Sequence, residues 1–265
     1  MRRIRLRIAY DGTGYCGWQI QNNGISVEQR LTEALCELLG EKTEVTGASR
    51  TDAGVHALGN VAVFDTDSHI PADKFAYALN RHLPDDIRIL LSEEVPGDFH
   101  PRYCESTKTY EYSVLASRIQ IPVKNRYSHH VYQPLDVEKM RQAAKEIEGP
   151  HDFSAFCSAG SQVKTKERTV YRVDIEKQPL PDTWGADVPG IAGCYELKIR
   201  VCGNGFLYNM VRIIAGTLLE VGMGRRSVES VKDALESGDR SKAGPTAPAK
   251  GLMLVKIDYM EKNGK

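Results

Sequence analysis

Arg3-Ile4-Arg5-Leu6-Arg7-Ile8 opens the chain with strict alternation of charged and apolar side chains. Successive side chains of a strand point to opposite faces, so this run reads as a half-buried β-strand with Ile4, Leu6 and Ile8 inward and a basic outer face. A Gly-rich loop over 11–24 follows. Ser26 and Gln29 then form a capping-box pattern ahead of Leu31, Leu35, Leu38 and Leu39, and Gly40 stops that helix. Strands are predicted near 43–48 and at 60–66. Pro71, suited to a first helical position, starts a helix running to about Arg81, and Ile87, Ile89 and Leu91 close the unit with a strand. The order β-α-β-β-α-β is the ferredoxin-like arrangement.

The second half repeats that order without sequence identity. A strand is predicted at 107–116, and Asp136 caps a helix that ends by Gly149. Strands at 169–177 and 194–202 are joined by a Pro/Gly-rich connection, 178–193, around Trp184. The stretch 206–221 reads as helix, a short helix follows Ser227, and 252–259 is a last strand. The expected fold is therefore α+β. It comprises two ferredoxin-like (RRM-like) subdomains, 1–105 and 106–265, with their sheets joined around a central cleft.

A chain of 265 residues, 41% hydrophobic and 26% charged, has the make-up of a soluble globular protein with a substantial core. Its amino terminus lacks the apolar centre of a signal peptide. The most apolar stretch, 206–221, is interrupted by Arg212 and Glu220 and makes a poor membrane span. Six cysteines, at 16, 36, 104, 157, 194 and 202, form no C-x-x-C pair, which fits a reduced cytoplasmic protein with no metal site. Formal net charge is zero, yet the charges segregate. His100, Arg102, Lys108, Arg118, Lys124, Arg126, His129 and His130 face only Glu105 and Glu111, and Lys164, Lys166, Arg168 and Arg172 are broken only by Glu167. Such segregation can build a basic groove on a neutral protein.

The chemistry concentrates in 47–57, Gly-Ala-Ser-Arg-Thr-Asp-Ala-Gly-Val-His-Ala. Small residues let a large substrate approach the backbone, and Arg50 and Asp52 lie two apart, on one side of an extended segment. This string resembles the signature of the tRNA pseudouridine synthase A family. So do Tyr10-Asp11-Gly12-Thr13-Gly14-Tyr15-Cys16-Gly17-Trp18-Gln19, Phe99-His100-Pro101-Arg102 with Lys108-Thr109-Tyr110-Glu111-Tyr112, Gly205-Phe206-Leu207-Tyr208-Asn209-Met210-Val211-Arg212, and Ala243-Gly244-Pro245-Thr246-Ala247-Pro248. These segments occur in the family's order over nearly the whole chain.

The resemblance implies an isomerase that converts uridine to pseudouridine in the anticodon stem-loop of tRNA. It implies tRNA as partner, a homodimer in which one tRNA contacts both subunits, and no DNA or membrane. The reaction breaks the C1′–N1 bond, rotates the uracil and re-forms the link through C5, so no cofactor or metal is required. By resemblance Asp52 is the catalytic carboxylate, attacking the nucleotide or stabilising the sugar cation. Arg212 is the guanidinium that keeps it ionised, and Tyr110 stacks on the uracil and helps remove the C5 proton. A uridine in a stem must be flipped out, and Arg50 would fill the vacated space. His56 either touches substrate or fixes the loop.

Asp11-Gly12-Thr13-Gly14 mimics a phosphate loop, but the next helix starts a dozen residues later. Gly203-Asn204-Gly205 is a lone G-x-G, and His129-His130 lacks further ligands at metal spacing. Two other classes stay open. A hydrolase cleaving the N-glycosidic bond could use Asp52, although it often needs a second carboxylate, and 47–57 holds one. An RRM-like RNA-binding module without catalysis has the same element order but carries aromatic strand sequences not found here. A zinc deaminase would need H-x-E with P-C-x-x-C, which the chain lacks.

Overall fold

The alternation at the amino terminus becomes β1 (Arg2–Tyr10), followed by α1 (Val27–Leu39), β2 (Thr46–Gly47), β3 (His56–Thr66), α2 (Phe75–Leu79) and β4 (Ile87–Val95). Then come β5 (Ser106–Ala116), β6 (His129–Val131), α3 (Val137–Lys145), β7 (Gly149–Asp152), β8 (Glu167–Pro179) and β9 (Tyr195–Gly203). The chain ends with α4 (Met210–Gly222), α5 (Glu229–Ser237) and β10 (Leu252–Tyr259). The structure, a computed structural model, describes residues 1–260 apart from 23, 161–162, 182–187, 189 and 192. Half of the predicted 178–193 connection, Trp184 included, lies outside the described residues. The chain is mixed α+β with mostly antiparallel strands, in two compact units. One is Met1–Thr107 with the stretch beginning at Met253, and the other is Lys108–Leu252.

In the first unit the strand order is β4-β1-β3-β10, with β2 also paired to β3. Ile4, Leu6 and Ile8 are fully buried, in a core that also holds Leu31 and Leu35 of α1 and Phe75 and Leu79 of α2. Each such side chain contributes about 1.5–3 kcal/mol by leaving water. Phe75 meets Phe64 of β3 edge-on, with ring centroids 5.3 Å apart. The outer face of β1 is not a free basic surface. Arg3 lies opposite Asp65 and grips it bidentately at 2.8 and 2.7 Å, and Arg5 lies opposite Glu93 and bonds it at 3.1 and 2.8 Å. Cross-strand pairing of opposite charges stabilises the sheet and consumes the cations.

Local signals placed α1 well. Ser26 accepts the Gln29 N–H at 3.2 Å, and Gly40, in a left-handed conformation, donates to the Cys36 carbonyl. The return half of the capping box, from Ser26 N–H to the Gln29 side-chain oxygen, is not made, and the Gln29 amide nitrogen donates to Glu33. The helix expected from Pro71 to about Arg81 is a 3-10 turn, Ala72–Lys74, followed by the five residues of α2. Asn80 stops it: its side chain donates to the Ile89 carbonyl and accepts the Ile89 N–H on β4. The strand expected near 43–48 shrinks to Thr46–Gly47, while β3 starts at His56 instead of residue 60. That earlier start is paired on both sides, Ala57 with Tyr10 of β1 and His56–Ala57 with Met253–Leu254 of β10.

The same pairing corrects the expected boundary. β10 was assigned with 106–265, but it runs parallel to β3 and belongs with the first unit. Tyr259 fixes its far end, the hydroxyl donating to the Pro101 carbonyl at 2.9 Å and the ring packing edge-on to Phe99. In the second unit the order is β5-β9-β8-β7, antiparallel throughout, with β6 added in parallel to β5. β6 and β7 are short and were not predicted. α4 is buried over most of its length. It begins at Met210, not residue 206, because Asn209 sits at φ 61° and breaks the helical run.

Candidate active site

Asp52 lies half-buried in the turn between β2 and β3, and the backbone around it is held from several directions. Trp18 N–H donates to the Thr51 carbonyl at 3.0 Å, Gly54 N–H to Tyr15 at 3.3 Å, and Val55 N–H back to the Asp52 carbonyl at 3.1 Å. Beneath the loop, buried Asn60 donates to the Ser49 carbonyl and to the Tyr10 hydroxyl, accepting in turn from Ser49 N–H. The Tyr10 hydroxyl also shares a hydrogen bond with Thr51 Oγ1, 2.7 Å away. Hydrogen bonds shared among buried polar groups in this way make a rigid support. Gly17 makes the clamp possible. Its φ is 106°, and a β-carbon there would stand 2.6 Å from the Thr51 carbonyl oxygen.

His56 is 5% exposed, and its Nδ1 accepts the Gly12 N–H at 3.1 Å. An Asp11 carboxylate oxygen lies 3.1 Å from the same nitrogen. One nitrogen cannot accept from Gly12 and donate to Asp11 at once, and that oxygen already takes the Thr13 N–H and hydroxyl at 3.0 and 2.6 Å. His56 thus ties the 11–14 turn to the Asp52 loop. Arg50 stands exposed on the same loop.

Tyr110 and Arg212 belong to the second unit, on β5 and α4. Tyr110 is 8% exposed and packs edge-on against Phe206, with centroids 5.2 Å apart. Its neighbour Tyr112 is a structural residue. It is fully buried, donates to the Pro248 carbonyl at 2.9 Å, and has its phenol pushed above the ordinary tyrosine range by burial. Arg212 donates through Nε to the Ala247 carbonyl and through Nη1 to Asn209 Oδ1, both at 2.8 Å. Asn209 in turn donates to Ser158 Oγ at 2.9 Å. These two neutral acceptors fix the orientation of the guanidinium.

The segment 243–248 reaches Arg212 because α4 admits it closely. A β-carbon on Gly216 would fall 1.9 Å from the Pro245 carbonyl oxygen, and Gly244 N–H donates to Thr217 Oγ1 at 2.8 Å. Asn209, Ser158 and the Ala247 carbonyl were not foreseen from the sequence. One signal was present: asparagine tolerates positive φ better than most residues and stands directly before the apolar run.

The predicted basic segments are partly neutralised. Lys124 pairs with Glu196 at 2.6 Å and Arg172 with Asp174 at 2.6 Å. Glu111 is buried and consumed by Lys198 and Arg200. Burial, followed by the charges of Lys250 and His130, holds His129 below the usual histidine value. Arg168 donates to the Thr165 and Glu167 carbonyls, and burial lowers its pKa. Among the described residues, no cluster of three or more His, Cys, Asp or Glu could hold a metal ion, and no helix is long and apolar enough to cross a membrane.

A family model described as tRNA pseudouridine synthase matches residues 7–104 and 143–260. The chain is 48% identical over 259 residues to tRNA pseudouridine synthase A of Ruminiclostridium cellulolyticum, covering 98% of this chain and 100% of that protein. Identity to the proteins of the same description from Acetivibrio thermocellus and Thermoanaerobacter sp. strain X514 is 47% and 45%, with the same coverage. With the match running from β1 to β10 at close to half identity, the chain belongs to the tRNA pseudouridine synthase family.

Proposed function

We propose that this protein isomerises uridine to pseudouridine in tRNA, acting on uridines of the anticodon stem-loop, as a cytoplasmic homodimer in which one tRNA touches both subunits. The observation that carries the reading is the construction around Asp52. A half-buried carboxylate stands on a loop whose backbone is fixed from below, in a chain nearly half identical to proteins named for this reaction. Fixing a reactive group before substrate arrives is how a rigid scaffold lowers a barrier.

In this reading both halves are ferredoxin-like catalytic subdomains. Asp52 comes from the first, and Tyr110 and Arg212 from the second. Asp52 acts on the nucleotide as the C1′–N1 bond breaks, either bonding covalently or stabilising the sugar cation. Arg212 pairs with Asp52 and keeps it ionised. Its fork is already oriented by Ala247 and Asn209, which supports this role. Tyr110 offers its ring to the uracil and its hydroxyl to the final proton removal at C5. Arg50, exposed beside Asp52, takes the space left by the flipped base. His56 serves by holding the loop, since it is buried and bonded to Gly12.

The test is to incubate the protein with unmodified tRNA transcript and map pseudouridine at single-nucleotide resolution. Conversion within the anticodon stem-loop is the expected result. Free uracil with an abasic site would make the protein a hydrolase, and binding without any change in the RNA would remove catalysis.

A further inference from the structure

The turn after β4 does something unusual with an aromatic ring. Tyr103 and Cys104 both donate their N–H groups to the His100 carbonyl, at 3.1 and 3.0 Å, and the tight turn leaves Tyr103 83% exposed. The ring is nevertheless held. It stacks on His100 with centroids 4.1 Å apart and planes 26° from parallel. His100 is itself fixed, its Nδ1 accepting the Arg102 N–H at 3.2 Å and its N–H donating to Cys104 Sγ at 3.4 Å. One face of the phenol is therefore backed by imidazole and the other is open to solvent.

Arg102, between these two rings in sequence, turns back to the Asp52 loop and donates through Nε to the Gly47 carbonyl at 2.7 Å. Burial, and then the nearby charge of Arg50, pull Arg102 below the usual arginine value. Arg50 thus acts on Arg102 as a like charge, with Glu28 acting in the opposite sense. Neither guanidinium forms an ion pair with a carboxylate among the described residues, whereas Arg3 and Arg5 on β1 do. A partner that brings an anion relieves that repulsion, and one that also brings a flat ring extends the Tyr103–His100 stack.

We propose that Tyr103, His100 and Arg102 form a nucleotide-binding site for the RNA strand beside the reacting uridine. A base stacks on the open face of Tyr103, and its phosphate is taken by Arg102 together with Arg50. The proposal rests on the tRNA reading above and adds to it a subsite tied to the start of the catalytic loop by the Arg102–Gly47 bond. Stacking on a ring already fixed by a neighbour costs little ordering entropy on binding, and base–aromatic stacking accepts any base, which suits an enzyme acting on many tRNAs.

The test measures binding of unmodified tRNA transcript across a salt series for the parent, Tyr103→Ala, Tyr103→Phe and Arg102→Gln. Circular dichroism checks that each variant is folded. Tyr103→Ala is expected to bind about ten-fold more weakly with an unchanged salt slope, because stacking releases no counterions. Tyr103→Phe should return to within about two-fold of the parent, and Arg102→Gln should weaken binding and reduce the slope by about one. Tyr103→Ala binding like the parent, or Phe failing as badly as Ala, overturns the site. So does a Tyr103→Ala protein whose association state changes, since the ring would then cover a protein surface. Pseudouridine mapping on the parent separates the two levels. Product formation with no Tyr103 effect sinks this site alone, and no product sinks the function and the site with it.

Discussion

Replacing Gly17 with alanine tests whether the clamp on the Asp52 loop matters for chemistry. At φ 106° an alanine is strained, at about 1–3 kcal/mol. Its β-carbon would also lie 2.6 Å from the Thr51 carbonyl oxygen and 3.2 Å from Ala53 N, which are backbone atoms with no rotamer to escape into. Relief requires the loop to retreat by roughly half an ångström. That retreat stretches the Trp18–Thr51 hydrogen bond, now 3.0 Å, whose loss costs about 1 kcal/mol. Together these come to about 2–4 kcal/mol, or a fall of roughly 5–10 °C in the thermal midpoint. Displacement of Asp52 by that amount should slow single-turnover pseudouridine formation about ten-fold or more. Gly14→Ala is the control, because a β-carbon there meets no atom within 4 Å and its φ is not in the left-handed region. If Gly17→Ala and Gly14→Ala behave alike in melting and in turnover, the clamp argument is wrong.

Asp52→Asn should abolish pseudouridine formation while tRNA affinity stays within a few-fold, since affinity comes mainly from phosphate contacts; residual activity above about one hundredth of the parent, read by tritium release from C5-labelled uridine, contradicts a nucleophilic role. Tyr110→Phe keeps the ring against Phe206 and loses the hydroxyl, so bond cleavage should survive and product should fail to form; a fully active variant confines Tyr110 to stacking. Asn209→Ala removes an acceptor from Arg212 and forces a left-handed conformation on alanine, so kcat should fall about ten-fold with tRNA affinity little changed, while Asn209→Asp, which keeps the acceptor, should recover part of the loss. His129 is held below its ordinary pKa, so the folded state binds fewer protons than the unfolded chain. Stability is then full above the unfolded histidine pKa and is lost as pH falls from about 6.5 through the depressed value; His129→Gln should flatten that part of a urea-midpoint profile, and an unchanged profile assigns the slope elsewhere.

Several features were legible because their causes are local. Ser26, Asp136 and Gly40 mark helix ends through hydrogen bonds spanning three or four residues, and all three act as the sequence indicates. The alternation in β1 specified which face is buried, because side-chain direction along a strand has period two. The string 47–57 with its companion segments identified the family and nominated Asp52, since family resemblance is carried by short contiguous motifs.

What only the tertiary structure decided involves partners far apart in sequence. The basic face of β1 is cancelled by Asp65 and Glu93, which strand register, not spacing, sets opposite Arg3 and Arg5. α2 is cut short by Asn80 bonding to β4, a competition that helix propensity cannot register. β10 joins β3 by pairing Met253 with His56 and Leu254 with Ala57, far apart in sequence, because an unpaired strand edge accepts whichever backbone the fold delivers. The Arg212 cradle is built the same way. Asn209 stands three residues away, but Ser158 and Ala247 arrive from separate segments, and Gly216 lets the 243–248 backbone come close enough to bond. Residue identity nominated the candidate site residues; packing of distant backbone decided how their surroundings hold them.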